Sequence, residues 1–218
     1  MHNITVNLQE IIKEIYSNNN NHNEPINVIA VSKTFNIDTI VPLIEYGHVH
    51  FGENKVQEAL NKWSSIKTKN KDLKLHMIGK LQSNKVKNAV FLFDYIHSLD
   101  SLKIAEKIFT EQKKINKSLK IFIQVNLANE NQKSGVDIND LEEFYKKCIS
   151  RFNLNIIGLM CIPPISGNTN DYFSTLKKLN LKLGLKDLSM GMSSDYIDAV
   201  RNGATYLRIG SKIFGNRS

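Results

Sequence analysis

Lys33 follows the run Val28-Ile29-Ala30-Val31-Ser32 without a break. A lysine that ends a buried apolar strand is partly desolvated. Desolvation lowers the ammonium pKa and frees the amine to attack an aldehyde as a Schiff-base nucleophile. The plain alternative is a side chain that snorkels to the rim of the fold and only solvates it. Two later segments carry the chemistry of an anion site. Gly191-Met192-Ser193-Ser194-Asp195 and Arg208-Ile209-Gly210-Ser211 combine glycines, which let backbone N–H groups come close, with hydroxyl donors. Taken singly, each is also an ordinary turn with a helix N-cap. Arg208 adds a permanent cation that either faces a ligand or pairs with Glu53 or Asp195. His48, His50, His76 and His97 lie in or beside apolar runs. No two sit at a metal-binding pattern, which assigns them structural roles.

Something must gather these scattered residues. Eight short apolar runs, rich in β-branched residues, recur along the chain: 27–32, 49–52, 73–78, 95–99, 120–126, 155–162, 188–192 and 206–209. Most are continuous and not alternating, which suits parallel strands buried on both faces. Helical patterns lie between them. Val56, Ala59, Leu60 and Trp63 share one face, as do Leu141, Phe144, Tyr145 and Cys148, and Tyr172, Phe173, Leu176, Leu179 and Leu183. An opening helix shows the face Leu8, Ile11, Ile12, Ile15 and Tyr16, and the polar tract 18–23 ends it as a loop. Asp100 and Asp137 stand where N-caps are expected, and Gly203 where a C-terminal glycine is expected. Pro42 lies inside the pattern Ile37, Ile40, Val41, Ile44, so that helix should kink or start late.

Eight β–α alternations with right-handed crossovers close into a (β/α)8 barrel of the TIM type. An open doubly wound sheet is the alternative, but no G-x-G-x-x-G follows any of the runs. The expected domain organisation is one barrel over 1–218, with an N-terminal helix and Asn-rich loop over 1–26. In a barrel the active site lies at the C-terminal strand ends, and the seventh and eighth βα loops are its usual phosphate site. Those ends read Ser32-Lys33-Thr34, Glu53-Asn54, Gly79 with Gln82-Ser83-Asn84, Asn126, Met192-Ser193-Ser194-Asp195 and Arg208-Ile209-Gly210-Ser211.

Composition removes several classes. Of 218 residues, 41% are hydrophobic and 23% charged, ordinary for a globular domain that needs no disulfide. Cys148 and Cys161 lack partners at metal-ligand spacing and read as buried thiols of a reducing compartment. The net charge of +8 raises the question of nucleic acid. The lysines are dispersed, however, and the cluster Lys67, Lys69, Lys71 and Lys74 is broken by polar residues and Asp72, so a solvated surface is expected and no nucleic-acid partner. The longest apolar run, 156–165, is about half of a membrane span and holds Pro163 and Pro164. The first ten residues lack the pattern of a secretory signal, so the expected location is the cytoplasm.

A set of segments in this order resembles the pyridoxal phosphate homeostasis proteins, whose fold is the alanine racemase N-terminal barrel. The segments are Ala30-Val31-Ser32-Lys33, Phe51-Gly52-Glu53-Asn54 with Val56-Gln57-Glu58, and His76-Met77-Ile78-Gly79 with Leu81-Gln82-Ser83-Asn84-Lys85. Further along come Gln124-Val125-Asn126, Lys133-Ser134-Gly135, Gly158-Leu159-Met160 with Ile162-Pro163-Pro164, Met190-Gly191-Met192-Ser193, and Arg208-Ile209-Gly210 with Ile213-Phe214-Gly215. Together they span about 28–215 and are highly specific as a set, though weak one by one.

The resemblance implies a pyridoxal 5′-phosphate (PLP) site. Lys33 matches the Schiff-base lysine; Ser193, Gly210 and Ser211 match the phosphate cradle, beside Ser194; Asn54 matches a pocket residue. Arg208 matches an arginine facing the pyridine nitrogen, where a fixed cation holds that nitrogen unprotonated and makes the ring a poor electron sink. The function implied is a monomeric cofactor carrier in PLP homeostasis without established turnover, with PLP-dependent apo-enzymes as candidate recipients. The alternative is a low-activity amino-acid racemase of the same fold type. Racemases carry an added β-domain that supplies a tyrosine, and Tyr46, Tyr95 and Tyr172 read here as helix or strand residues. Two departures add charge at the expected mouth. Lys80 replaces a common proline, and Lys212 follows the cradle; Ser211 keeps the hydroxyl of the usual threonine.

Overall fold

Five of the eight barrel strands come before residue 127: β1 (Asn27–Val31), β2 (His50–Glu53), β3 (Lys74–Met77), β4 (Tyr95–Leu99) and β5 (Lys120–Asn126). A two-residue strand, β6 (Val136–Asp137), follows, and then β7 (Ile156–Met160), β8 (Asp187–Ser189) and β9 (Tyr206–Ile209). The computed structural model describes residues 3–19, 25–128, 134–164 and 167–215. Residues 20–23 of the expected polar loop and Lys133 of the Lys133-Ser134-Gly135 segment lie outside them.

Every strand pair is parallel. The order is β4-β3-β2-β1-β9-β8-β7-β5, and β4 also pairs with β5, so eight strands close on themselves. The β6 strand is not a barrel stave; it adds to the end of β5 through Val125↔Val136 and Asn126↔Asp137. The sequence pattern of eight runs therefore matches the closed barrel, and the ninth strand is too short to leave a periodic signal. Closure removes the open edge that a doubly wound sheet would leave.

Helices cover the barrel: α1 (Asn3–Asn18), α2 (Ile37–Glu45), α3 (Val56–Lys69), α4 (Val86–Leu92), α5 (Leu102–Lys114), α6 (Leu141–Phe152), α7 (Thr169–Lys182), α8 (Tyr196–Arg201) and α9 (Ser211–Phe214). A 3₁₀ turn, Ser83–Lys85, leads into α4. Among the described residues no helix is long and apolar enough to cross a membrane. Alternation along each strand separates two cores. Val28 and Ala30 join the layer between strands and helices, while Ile29 packs with Tyr95, Phe122, Met160 and Tyr206 in the barrel interior. The outer layer is anchored by Trp63 of α3, fully buried against Phe51 of β2 with ring centroids 5.0 Å apart. Truncating such a side chain costs about 3–5 kcal/mol.

Several local expectations are corrected. The N-cap of α5 is Ser101, not Asp100; its hydroxyl accepts from the Ile104 N–H. The N-cap of α6 is Asp140, not Asp137, whose carboxylate instead accepts from Asn139 N–H in a turn. In α1 the buried face is Thr5, Leu8, Ile11 and Ile15, while Ile12 and Tyr16 are exposed. Helix α2 does not start late: it begins at Ile37 and runs through Pro42. Gly203 follows the end of α8 with φ of +88°, the left-handed conformation expected after a helix C-cap.

Candidate functional site

The turn after β1 is held from beneath by a buried ion pair. Glu53, the last residue of β2, is fully buried. Its Oε1 accepts from Ser32 Oγ at 2.8 Å, Lys62 Nζ at 3.0 Å and Trp63 Nε1 at 2.9 Å. Lys62 also donates to the Ser32 carbonyl at 2.9 Å and to Glu58 at 3.2 Å. The strand end bearing Lys33 is thereby tied to α3 through both main chain and side chain. Thr34 is left-handed, with φ of +70°, a conformation that costs a β-branched residue about 1–3 kcal/mol. Its N–H donates to Glu58 Oε1 at 2.6 Å, which fixes the turn and, with it, the half-buried Lys33.

The opposite wall comes from the last two strands. Gly191 follows β8 with φ of +89°, and a Cβ there would lie 2.6 Å from that of Ala199 and 2.9 Å from Leu207 Cδ2. Only glycine fits, and the chain turns sharply enough to bring Ser193 over the end of β9. Ser193 Oγ accepts from the N–H groups of Gly210 and Lys212, each at 3.3 Å. These donors converge as an anion cradle does. Asp195 closes the loop by accepting from Met192 N–H at 2.6 Å.

Arg208 sits on β9 and is 4% exposed. Its guanidinium donates to Ser189 Oγ at 2.7 Å and to the Cys161 carbonyl at 2.8 Å. It pairs with neither Glu53 nor Asp195; among the described residues it makes no ion pair. Burial pushes its pKa down, opposed by the Cys161 thiol and Asp195. An Arg this buried still carries its charge, because the ordinary value is so high.

One cavity of about 770 Å³ opens at the C-terminal ends of the strands. Lys33, Asn54, Ser193, Ser194, Arg208, Gly210 and Ser211 all line it. The volume is that of a small-molecule site. Asn54 Oδ1 is buried with no hydrogen-bond partner among the described residues. Met192 of the expected strand end lines it too, and apolar neighbours not singled out for the site complete the wall, notably Phe35, Ile78 and Ile162. Phe35 stacks on Phe214 of α9 at 4.9 Å, so their signal lay in a contact between distant segments.

The two added lysines do not line this cavity. Lys212 turns back toward α1 and α8, where its Nζ donates to Glu14 Oε2 of α1 at 3.3 Å and to Tyr196 Oη of α8 at 2.8 Å. Glu14 and Tyr196 are themselves hydrogen-bonded. Lys80 lines a neighbouring depression with Gln82, Ser83, Asp100 and Lys103. The tyrosines fall as expected: Tyr95 opens β4, Tyr172 lies in α7 and Tyr46 caps α2. The histidines, read singly as structural, turn out to be joined: His50, His76 and His97 are linked ring to ring inside the barrel.

Residues 6–218 match the family model described as alanine racemase, N-terminal domain. The pyridoxal phosphate homeostasis protein of Aquifex aeolicus is 38% identical over 87% of this chain and 86% of its own length. The structure of PipY of Synechococcus elongatus PCC7942 with PLP bound is 35% identical, with a TM-score of 0.87 over 97% of this chain and all of that one. Alanine racemase of Clostridium difficile 630 is 13% identical with a TM-score of 0.75, covering 99% of this chain and 57% of that one, a likeness of fold alone.

Proposed function

The chain belongs to the family of the pyridoxal phosphate homeostasis proteins, and on that footing we propose that it is a one-domain, monomeric cytoplasmic carrier that binds PLP and buffers its supply. The observation that carries the proposal is a single cavity lined by an amine (Lys33), converging hydroxyl and N–H donors (Ser193, Gly210, Ser211) and a buried guanidinium with no carboxylate partner among the described residues (Arg208). These groups fit the three polar features of PLP: an aldehyde, a phosphate and a ring nitrogen.

PLP, when bound to a lysine through its aldehyde, supplies an electron sink for amino-acid chemistry. Lys33 provides the amine that condenses with the aldehyde, releasing one water with no change of oxidation state. Ser193, Ser194, Gly210 and Ser211 donate to the phosphate oxygens. Asn54 offers its unpartnered carbonyl to the wall beside Lys33. Arg208 directs N–H groups to the ring nitrogen and disfavours its protonation, which restrains carbanion chemistry.

The choice of carrier over racemase rests on what surrounds the cavity. Stereoinversion needs proton donors on two faces of the substrate carbon. Among the described lining residues Lys33 carries the one amine, and no carboxylate, imidazole or phenol stands there to serve a second face. PLP-dependent apo-enzymes are the recipients such a carrier would serve.

Borohydride reduction of the PLP-incubated protein, followed by peptide mapping, tests the site, with Lys33→Ala as control. The expected result is a phosphopyridoxyl adduct on the Lys33 peptide that is absent from the control. Labelling scattered over surface lysines, with Lys33 unmodified, would overturn it. Incubation with L- and D-amino acids tests the carrier reading, and inversion at an enzyme-like rate that is lost in Lys33→Ala would replace it with the racemase.

A further inference from the structure

The barrel interior is not simply apolar. From Arg208 a line of hydrogen bonds runs back toward the opposite end of the strands. Arg208 Nη1 lies 2.7 Å from Ser189 Oγ, which lies 2.8 Å from His97 Nδ1. His97 Nε2 lies 2.9 Å from His76 Nδ1, and His76 Nε2 lies 2.9 Å from His50 Nδ1. His50 is the first residue of β2, at the end of the barrel away from the cavity. Ser189, His76 and His97 are fully buried. The rings are held flat against aromatic walls: His76 stacks on Tyr95 at 4.1 Å and His97 on Phe122 at 4.4 Å.

The direction of the chain follows from its first member. A guanidinium can only donate, so Ser189 Oγ accepts from Arg208. Among the described residues the Ser189 hydroxyl has one remaining acceptor, His97 Nδ1. If His97 Nδ1 carried a proton instead, the hydroxyl hydrogen would be buried with no acceptor among the described residues, the costly case for a buried donor. A neutral His97 therefore carries its proton on Nε2 and donates to His76, and His76 does the same toward His50. All three rings must be neutral for this. Burial is the main cause that holds His76 and His97 well below the usual histidine range, followed for His76 by His97 and His50 and for His97 by Arg208 and then His50. His50 is lowered to about 4 by burial, with His48, Lys74 and Lys120 adding and Asp94 opposing.

We propose that Ser189, His97, His76 and His50 form a one-way hydrogen-bond chain that orients the Arg208 guanidinium, making them positioning residues for the ring-nitrogen end of the cavity. The positioning role rests on the PLP reading; the chain itself does not. Its purpose follows from the alternatives. A carboxylate beside Arg208 would neutralise the cation that the site presents, and a charged histidine would repel it. A neutral acceptor fixed by a neutral chain holds the guanidinium without cancelling its charge.

Cofactor-free protein labelled with ¹⁵N-histidine, studied by long-range ¹H–¹⁵N correlation at pH 7.5, tests the chain. His50, His76 and His97 are expected as neutral rings protonated on Nε2. An Nδ1 proton on His97, or an imidazolium at any of the three, would refute the chain with no PLP in the sample. The positioning role is tested with Ser189→Ala and Ser189→Thr. The alanine variant should bind PLP roughly tenfold more weakly and shift its visible absorption band. The threonine variant, which keeps the hydroxyl, should restore both. Unchanged affinity and spectrum in Ser189→Ala would remove the positioning role. Wild-type protein that takes no PLP on Lys33 would instead condemn the cofactor reading, and the tautomer spectrum would still decide the chain.

Discussion

Removing the amine of Lys62 should be among the most damaging single changes outside the cavity itself. Lys62 side-chain exposure is 9% and that of Glu53 is zero, with Nζ 3.0 Å from Oε1. Lys62→Met keeps the length and apolar stem but strands the Glu53 carboxylate in the interior. Breaking a buried pair from one side costs about 3–5 kcal/mol, because an uncompensated charge remains. Glu53 Oε1 retains two donors, Ser32 and Trp63, which places the expected loss near the lower end, about 3 kcal/mol. For a chain of 218 residues that corresponds to a fall in Tm of roughly 6–12 °C.

The charge argument is separated from simple packing by a double-mutant cycle. Glu53→Gln keeps an acceptor for Ser32 and Trp63 but carries no charge. In the Lys62→Met background it should recover about 2 kcal/mol, since the stranded charge is gone. Urea unfolding followed by circular dichroism gives all three values. A loss below about 1 kcal/mol for Lys62→Met, or no recovery in the double variant, would refute the view that this pair anchors the site. The same variant should load PLP on Lys33 more slowly, because Lys62 Nζ also holds the Ser32 carbonyl one residue before it.

The buried histidines predict an acid-sensitive fold. His76 and His97 are neutral when folded, with burial the main cause, but take up protons near pH 6.5 once unfolded. Stability is therefore full above about pH 6.5 and falls as pH drops below it, by up to about 2.7 kcal/mol per pH unit for the two rings. Urea midpoints measured at pH 7.5, 6 and 5 check this, and a flat profile would contradict it. Burial also pushes the Cys148 and Cys161 thiols up to about 12. Neither should react with a thiol-specific disulfide reagent in native protein at pH 8, while both should react in denaturant. Rapid native labelling of either would show that its surroundings open.

How much of this was legible in the sequence depends on the range of the interactions involved. The strands were, because a parallel barrel buries both faces and leaves continuous apolar runs such as those around Ile29 and Ile123. The residues around the cavity were too: closing the barrel brings all strand ends to one mouth, so Lys33, Asn54, Ser193 and Arg208 converge once strand order is given. Caps were less legible. Ser101 and Asp100 are both good cap residues, and backbone geometry at one step of the chain decides between them. Ile12 and Tyr16 extend the helical stripe of α1 on paper, yet they lie beyond the arc that reaches the barrel. The histidine chain left no local trace. Its members come from β2, β3, β4 and β8, and only the registers His50↔Lys74 and His76↔Tyr95, which set each histidine two residues along from the next, bring their rings into one diagonal line.

That chain bears on why Arg208 has no carboxylate beside it among the described residues. A guanidinium buried to 4% exposure and held, among those residues, by a hydroxyl and a carbonyl is under-compensated, since each neutral acceptor offsets a charge less than a carboxylate does. The deficit is met most fully by a ligand that places another acceptor over the remaining N–H groups. On the PLP reading that acceptor is the unprotonated ring nitrogen, and a protonated one would add repulsion to an already costly cation. On that reading the arrangement would tie affinity to the protonation state of the cofactor, and the state retained most tightly would be the one least able to withdraw electrons from a bound amino acid. A protein selected to hold PLP without spending it has reason to present a bare cation at this position, and reason to fix it with groups that stay neutral.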